Sequence, residues 1–462
     1  MKKLLFLLLV LASNFLIGQS SNSLTQADKI FGLSKIWQEV NYNFAFYDTL
    51  NHEAWEEAYR KSIDEALKST SDYEYYRVLQ KLCSFLKDGH TNIFFPEAIQ
   101  KTLSGTNFGE YKFYLSNIEG KAIITRVNLS KKDELPIGTE IVKLNGLKTA
   151  DYVNKHVRPY MGTSPVYIEN NASIRNLLQS PIGTQFELEI KRPDGSLDTL
   201  QITREKNSEK AVYPERKPFT LFEFKWLNNE IAYVALNSFS DAGIVDEFKK
   251  KLPDLYRAKS LIIDLRNNTG GSNLNAKQIF KYLTYDSVLY GARSSTRQHN
   301  ATYKAWGSYI KPEDTIHGKK EWGIDKTEAK KYFNYSRNLG KHYFEYQGDT
   351  IAMDEKRIVI PTMVLIGNRT ASAAEDFLIL SHKQEHLTTV GEPTFGSTGQ
   401  PVFGDLPGGG RYRICTKKDT YPNGKEFVGY GIQPQIKVTK KLIDFIENND
   451  VVLDMALQHL TK

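Results

Sequence analysis

Ser372 stands in Arg369-Thr370-Ala371-Ser372-Ala373-Ala374-Glu375, after the apolar run 358–366 and ahead of a helical pattern. This order predicts a strand-to-helix turn that lifts the hydroxyl above the carboxyl end of a strand. There it lies beside unpaired N–H groups of the first helical turn, where an oxyanion can be held. Acyl transfer through a serine nucleophile is the chemistry such a turn suits. The same residues also spell Ser-x-x-Glu, a capping box that needs no chemistry. A second constellation, His382-Lys383-Gln384-Glu385-His386, reads His-x-x-Glu-His, the inverted zinc-peptidase signature, with two imidazoles one helical turn apart. It is expected at the far end of the helix opened by Ser372, roughly 15–20 Å away at the helical rise. That is the edge of an α/β sheet opposite to the one where sites form, and the helix dipole favours histidines there without any metal.

Composition narrows the setting. The start, Met1-Lys2-Lys3, then Leu4 to Ala12 and a small or polar Gly18-Gln19-Ser20-Ser21, has the layout of a secretory signal peptide over 1–20. An exported chain, periplasmic or secreted, is the expectation. No later segment approaches the ~20 uninterrupted apolar residues a membrane span requires, and no cysteine near the cleavage region offers a lipid anchor. Cys83 and Cys415 are the only two cysteines, far apart and outside any Cys-x-x-Cys, so redox and structural zinc chemistry lack support and one bridge stays open. The net charge of +7 includes Lys2 and Lys3, and the basic residues are interspersed with acidic ones, which argues against a nucleic-acid partner.

Three textures divide the remaining chain. Residues 21–100 read as a helical domain: Ile30, Leu33, Trp37 and Val40 share one stripe, Tyr76, Leu79, Leu82 and Leu86 another, and Glu56/Arg60 and Glu57/Lys61 are spaced as ion pairs. The domain ends at Asp88-Gly89-His90. Residues 105–205 alternate in short segments, 112–115, 122–127, 140–144, 185–191 and 199–203, separated by turns. Leu135 to Gly146 resembles the strand and turn of a PDZ domain, a module that binds an extended chain end by strand addition. A plain β spacer is the other reading. From 215 to 462 the pattern becomes βαβ: a strand at 231–236, a helix at 241–256, a strand at 260–265, a glycine turn and a helix at 273–283. An aromatic-rich insertion lies at about 286–354, and the sheet resumes at 358–366 and 387–390.

Four motifs follow in fixed order: Asp264-Leu265-Arg266-Asn267-Asn268-Thr269-Gly270-Gly271, Thr370 to Glu375, Gly391-Glu392-Pro393-Thr394-Phe395-Gly396, and Gly429-Tyr430-Gly431-Ile432-Gln433-Pro434. With them the chain resembles the carboxyl-terminal-processing, or tail-specific, serine peptidases, in their tricorn-core-like branch. The resemblance implies an α/β fold with a ClpP/crotonase-like βαβ core, an N-terminal helical domain and an inserted PDZ-like β domain. It further implies peptide or protein substrates and no cofactor. The family has a serine-lysine form, whose lysine would fall at Ser397, and a serine-histidine-glutamate form, whose histidine falls in an Asp-x-His segment matching Asp88-Gly89-His90. The resemblance therefore assigns Ser372 as nucleophile, His90 as general base and Glu426 as the carboxylate orienting it. Backbone N–H groups of Ala373 and of Gly270 or Gly271 form the oxyanion hole. A non-catalytic peptide- or ligand-binding relative of the same fold is the alternative from another class, and the sequence sets no oligomeric state.

Overall fold

The computed structural model describes residues 23–351 and 356–461; the leader read at 1–20 lies outside them. Its centre is a six-stranded sheet in the order Phe222–Trp226, Ile231–Leu236, Ser260–Asp264, Thr362–Ile366, Leu387–Gly391, Ile436–Lys437. All neighbours are parallel except the first pair. Strands buried on both faces read as unbroken apolar runs, and Ile231–Leu236 is buried at all six positions. Alternate residues serve opposite layers: Ala232, Val234 and Leu236 pack with Phe248, Ile279 and Phe377, whereas Ile231, Tyr233 and Ala235 pack with Val452 and Ala456 of the last helix, Val451–Leu460.

Prolines trim two expected elements. The helix foreseen over 241–256 is split into Gly243–Lys250 and Leu252–Leu255, with Pro253 in the first turn of the second. The strand foreseen from 358 starts at Thr362, after Pro361.

The β domain is an antiparallel sheet whose hairpin partners Gln185–Lys191 and Leu197–Thr203 turn at Arg192 to Ser196, as the Pro-Asp-Gly sequence predicts. It also carries a helix, Val166–Arg175, that the alternating pattern concealed. The N-terminal helices Gln26–Asn43, His52–Lys68 and Asp72–Ser84 bury Leu33, Val40, Trp55, Tyr76 and Leu79, but Ile30 is exposed. Glu57 pairs with Lys61 at 2.6 Å, whereas Glu56 accepts the Trp37 indole N–H instead of meeting Arg60. These helices do not close a core alone: Leu406, Tyr412, Ile414 and Cys415 complete it. The insertion holds the helices Ala301–Gly307 and Lys326–Ser336, and its strand Arg293–Arg297 joins Lys417–Thr420 of the core.

Candidate active site

The strand Thr362–Ile366 delivers the chain to Ser372 through a turn held at several points. The Thr370 hydroxyl donates to the Leu265 carbonyl at 2.9 Å, and the Ala371 N–H donates to Asn268 at 3.1 Å. Ser372 itself sits at φ 55° and ψ −124°, a left-handed conformation unusual for a residue with a Cβ. Such strain costs about 1–3 kcal/mol and persists only where surroundings over-determine it. Here they do: the Ser372 N–H donates to the Ser397 carbonyl at 3.2 Å and to Glu375 Oε2 at 3.1 Å. The Glu375 contact is one arm of the capping box, as the Ser-x-x-Glu spacing predicts.

Glu375 is fully buried and collects four donors, from Ser372, Gly396, Ser397 and the Thr394 hydroxyl. Burial pushes its carboxyl up to about 7 against the pull of those donors. Asp376, next in the helix, is raised to about 7 by burial and then by the nearby Asp419.

The glycine turn lies against Ser372. A Cβ on Gly270 would fall 2.6 Å from Ser372 Cβ and 3.0 Å from the Ala373 nitrogen, so the backbone approaches there only as glycine. Of the two candidate donors in this turn, Gly270 has its N–H taken by Asn268 Oδ1 at 2.9 Å. The N–H groups of Gly271 and Ala373 have no partner among the described residues.

His90 reaches the site because its segment is stitched to the core strand Arg411–Cys415. Asn92–Phe94 pairs with Arg411–Arg413, and Arg413 donates to the Gly89 carbonyl at 2.8 Å. Gly89 permits this docking, since a Cβ there would meet Phe395 at 2.5 Å. The imidazole Nδ1 lies 2.5 Å from Ser397 Oγ, and no hydrogen bond joins His90 to Ser372 Oγ. Burial holds the imidazole down at about 4, with Arg413 and Lys417 acting the same way and Asp419 opposing. Asp88 is buried, accepts the Thr91 hydroxyl at 2.6 Å, and is raised above the usual carboxylate range by burial.

Glu426 is not drawn in. Its side chain is half exposed and paired with Lys418 at 2.5 Å, without contact to His90. The carboxylates that stand near His90 are Asp88 and Asp419, the latter buried and held by Ser294, Thr398 and Lys417. Asp88 was legible as part of Asp88-Gly89-His90; Asp419, in the alternating strand Lys417–Thr420, carries no local signal. The rival His-x-x-Glu-His segment is dispersed because the helix ends at Ser381. His382 Nδ1 meets the Ile379 carbonyl at 2.5 Å and His386 Nε2 the Leu283 carbonyl at 2.9 Å. Among the described residues no group of three His, Cys, Asp or Glu could hold a metal ion. Cys83 and Cys415 are both buried free thiols.

Residues 230–438, which span five of the six core strands, the glycine turn, Ser372 and Ser397, match the profile of peptidase family S41. The chain is thus a serine-type peptidase, a hydrolase. In this region it is similar to peptidase family S41, and over most of its length to carboxyl-terminal-processing proteases. It is 22% identical over 437 residues to the carboxy-terminal processing protease CtpA of Bacillus subtilis, covering 93% of this chain and 73% of that one. It is 23% identical over 425 residues to the chloroplastic carboxyl-terminal-processing peptidase 1 of Arabidopsis thaliana, covering 88% and 71%. In fold it is similar to mature CPAF complexed with lactacystin, with a TM-score of 0.68 at 15% identity over 94% of this chain and 97% of that one.

Proposed function

We propose that the chain is an exported serine peptidase that cleaves protein or peptide substrates near their C-termini by acyl transfer to Ser372. His90 takes the serine proton as Ser372 attacks the scissile carbonyl, then returns it to the leaving amine; water then repeats the cycle on the acyl-enzyme. The oxyanion is received by the N–H groups of Gly271 and Ala373. The observation that carries this reading is the strained turn at Ser372, beside two unpaired N–H groups, with His90 one residue away across Ser397. A Ser-His-Glu form of the chemistry needs Glu426 to exchange Lys418 for His90; the present contacts favour a Ser372–His90 pair oriented by the groups that touch the ring. Cleavage near C-termini is suggested by the names of the relatives, and export by the leader pattern at 1–20.

The test is turnover of an unfolded polypeptide, with products mapped by mass spectrometry, by the wild type and by Ser372→Ala. Fragments trimmed from the C-terminal side by the wild type alone support the reading. The missing hydrogen bond between His90 and Ser372 favours the second reading, a peptide- or ligand-binding protein without turnover, and uncleaved substrate retained by the folded chain in both samples would support it.

A further inference from the structure

We infer that Ser397, with Asp88 behind it, is the positioning residue that sets the orientation and tautomer of His90, the role that resemblance gives to Glu426. The inference rests on the reading of Ser372 and His90 as nucleophile and base.

An imidazole can accept the Ser372 proton only if one ring nitrogen presents a lone pair while the other holds a proton. Nδ1 is 2.5 Å from Ser397 Oγ, so this contact decides which nitrogen is which. A hydroxyl has a single proton to give. Ser397 Oγ has a second neighbour, Asp88 Oδ1, at 3.5 Å, in the geometry of a donor to the carboxylate. With the Ser397 proton directed at Asp88, the Ser397 oxygen must accept from Nδ1–H, and Nε2 is left bare. The reverse order, with Ser397 donating to Nδ1, would place the ring proton on Nε2 and make it useless as a base. A buried carboxylate, which can only accept when ionised, selects the productive order.

The backbone of the same residue fixes the nucleophile. Its carbonyl accepts the Ser372 N–H at 3.2 Å and its own N–H is anchored on Glu375 Oε2 at 3.1 Å. Ser397 is 1% exposed, so water does not compete for its hydroxyl. One residue thereby ties the base and the nucleophile to a common frame, and misplacing such groups by about 1 Å can cost about 10²-fold in rate. When the ring gains the serine proton, its added charge is opposed by Arg413 and Lys417 and favoured by Asp419. Asp88 reaches the ring only through the Ser397 hydroxyl, which makes that hydroxyl the path by which a buried anion stabilises the imidazolium.

The test combines kinetics with NMR of the His90 ring nitrogens in the full chain. Ser397→Ala is expected to lower kcat by about 10²-fold with KM little changed, and Ser397→Thr, which restores a hydroxyl, to recover most of the loss. In the wild type the ring is expected to be protonated at Nδ1 and bare at Nε2; in Ser397→Ala and in Asp88→Asn that preference is lost. Wild-type kcat in Ser397→Ala, or a wild-type ring protonated at Nε2, would overturn the inference. A loss in Glu426→Gln as large as that in Ser397→Ala would return the role to Glu426. Should the wild type show no turnover, the reading of Ser372 and His90 fails, and the ring tautomer alone still decides whether Ser397 sets His90.

Discussion

Glu375, buried one turn into the helix that Ser372 opens, accepts the Ser372 N–H at 3.1 Å and ties it to the Thr394–Ser397 loop. The carboxylate holds the Ser372 turn through the backbone N–H groups of Ser372, Gly396 and Ser397. Replacing it with Ala orphans three donors and leaves the Ser372 N–H to the Ser397 carbonyl alone, so Glu375→Ala is expected to cost about 3–5 kcal/mol of stability, at about 1–3 kcal/mol for each buried group left unpaired and relaxed in part. Chemical denaturation of the variant checks this, and residual activity should fall with it because the strained Ser372 turn loses its support.

The acid limb of activity follows from His90. Its imidazole must be neutral to accept a proton, and the fold holds it down at about 4. As far as His90 sets the limb, activity should therefore persist as pH falls past the ordinary histidine range near 6.5 and be halved only near pH 4, whereas a limb near 7 would report protonation of Glu375. A profile of kcat/KM against pH, which reports the free enzyme, measures it. Stability moves with the same sign. The neutral ring is favoured in the fold, so its contribution is full above the unfolded value and is lost as pH drops from there through about 4.

Gly271 adopts φ 135°, and a Cβ there would lie 2.2 Å from the Ser240 backbone nitrogen. Gly271→Ala must open the turn and displace one oxyanion donor. Losing such a donor typically costs about 10²- to 10³-fold in kcat, and steady-state kinetics on the folded variant should show a loss of that order with KM far less affected.

Asp264 and Arg266 belong to the motif that announces the family, yet their contacts are architectural. The Arg266 guanidinium meets Asp264 Oδ2 at 2.6 Å and Asp450 Oδ1 at 2.6 Å, clamping the start of the last helix to the sheet. Arg266→Met leaves the buried Asp264 without its cation and should destabilise the chain by about 3–5 kcal/mol. Acylation of whatever fraction stays folded is expected to proceed at the wild-type rate, as urea titration with parallel labelling would report.

Much of this was written in local pattern. The parallel strand 231–236 is an unbroken apolar run, and Ser372 follows the buried strand Thr362–Ile366 at a helix start, so strand and turn were legible together. The helix Val166–Arg175 was not, because its Asn170-Asn171 centre and few apolar positions leave no stripe. Nor could the sequence show that the helical domain completes its core with Leu406 to Cys415, a contact across more than three hundred residues. In the site, Gly270 and Gly271 looked equivalent; only the bond from Gly270 to Asn268 separates them. Glu426 fell near a family position by count along the chain, but a count does not say which way a turn points its side chain, and Lys418 holds it. Ser397 was noticed as the place lacking a lysine, while its bond to His90 is a tertiary contact with no periodic trace.

The central claim is that Ser372 is an activated nucleophile, and the most direct measurement is labelling of the folded chain with a fluorophosphonate probe, mapped by mass spectrometry. The account predicts a single adduct on Ser372, absent in Ser372→Ala, strongly slowed in His90→Ala and indifferent to chelator. An unlabelled Ser372 in folded protein, or labelling that survives His90→Ala at the wild-type rate, would contradict it.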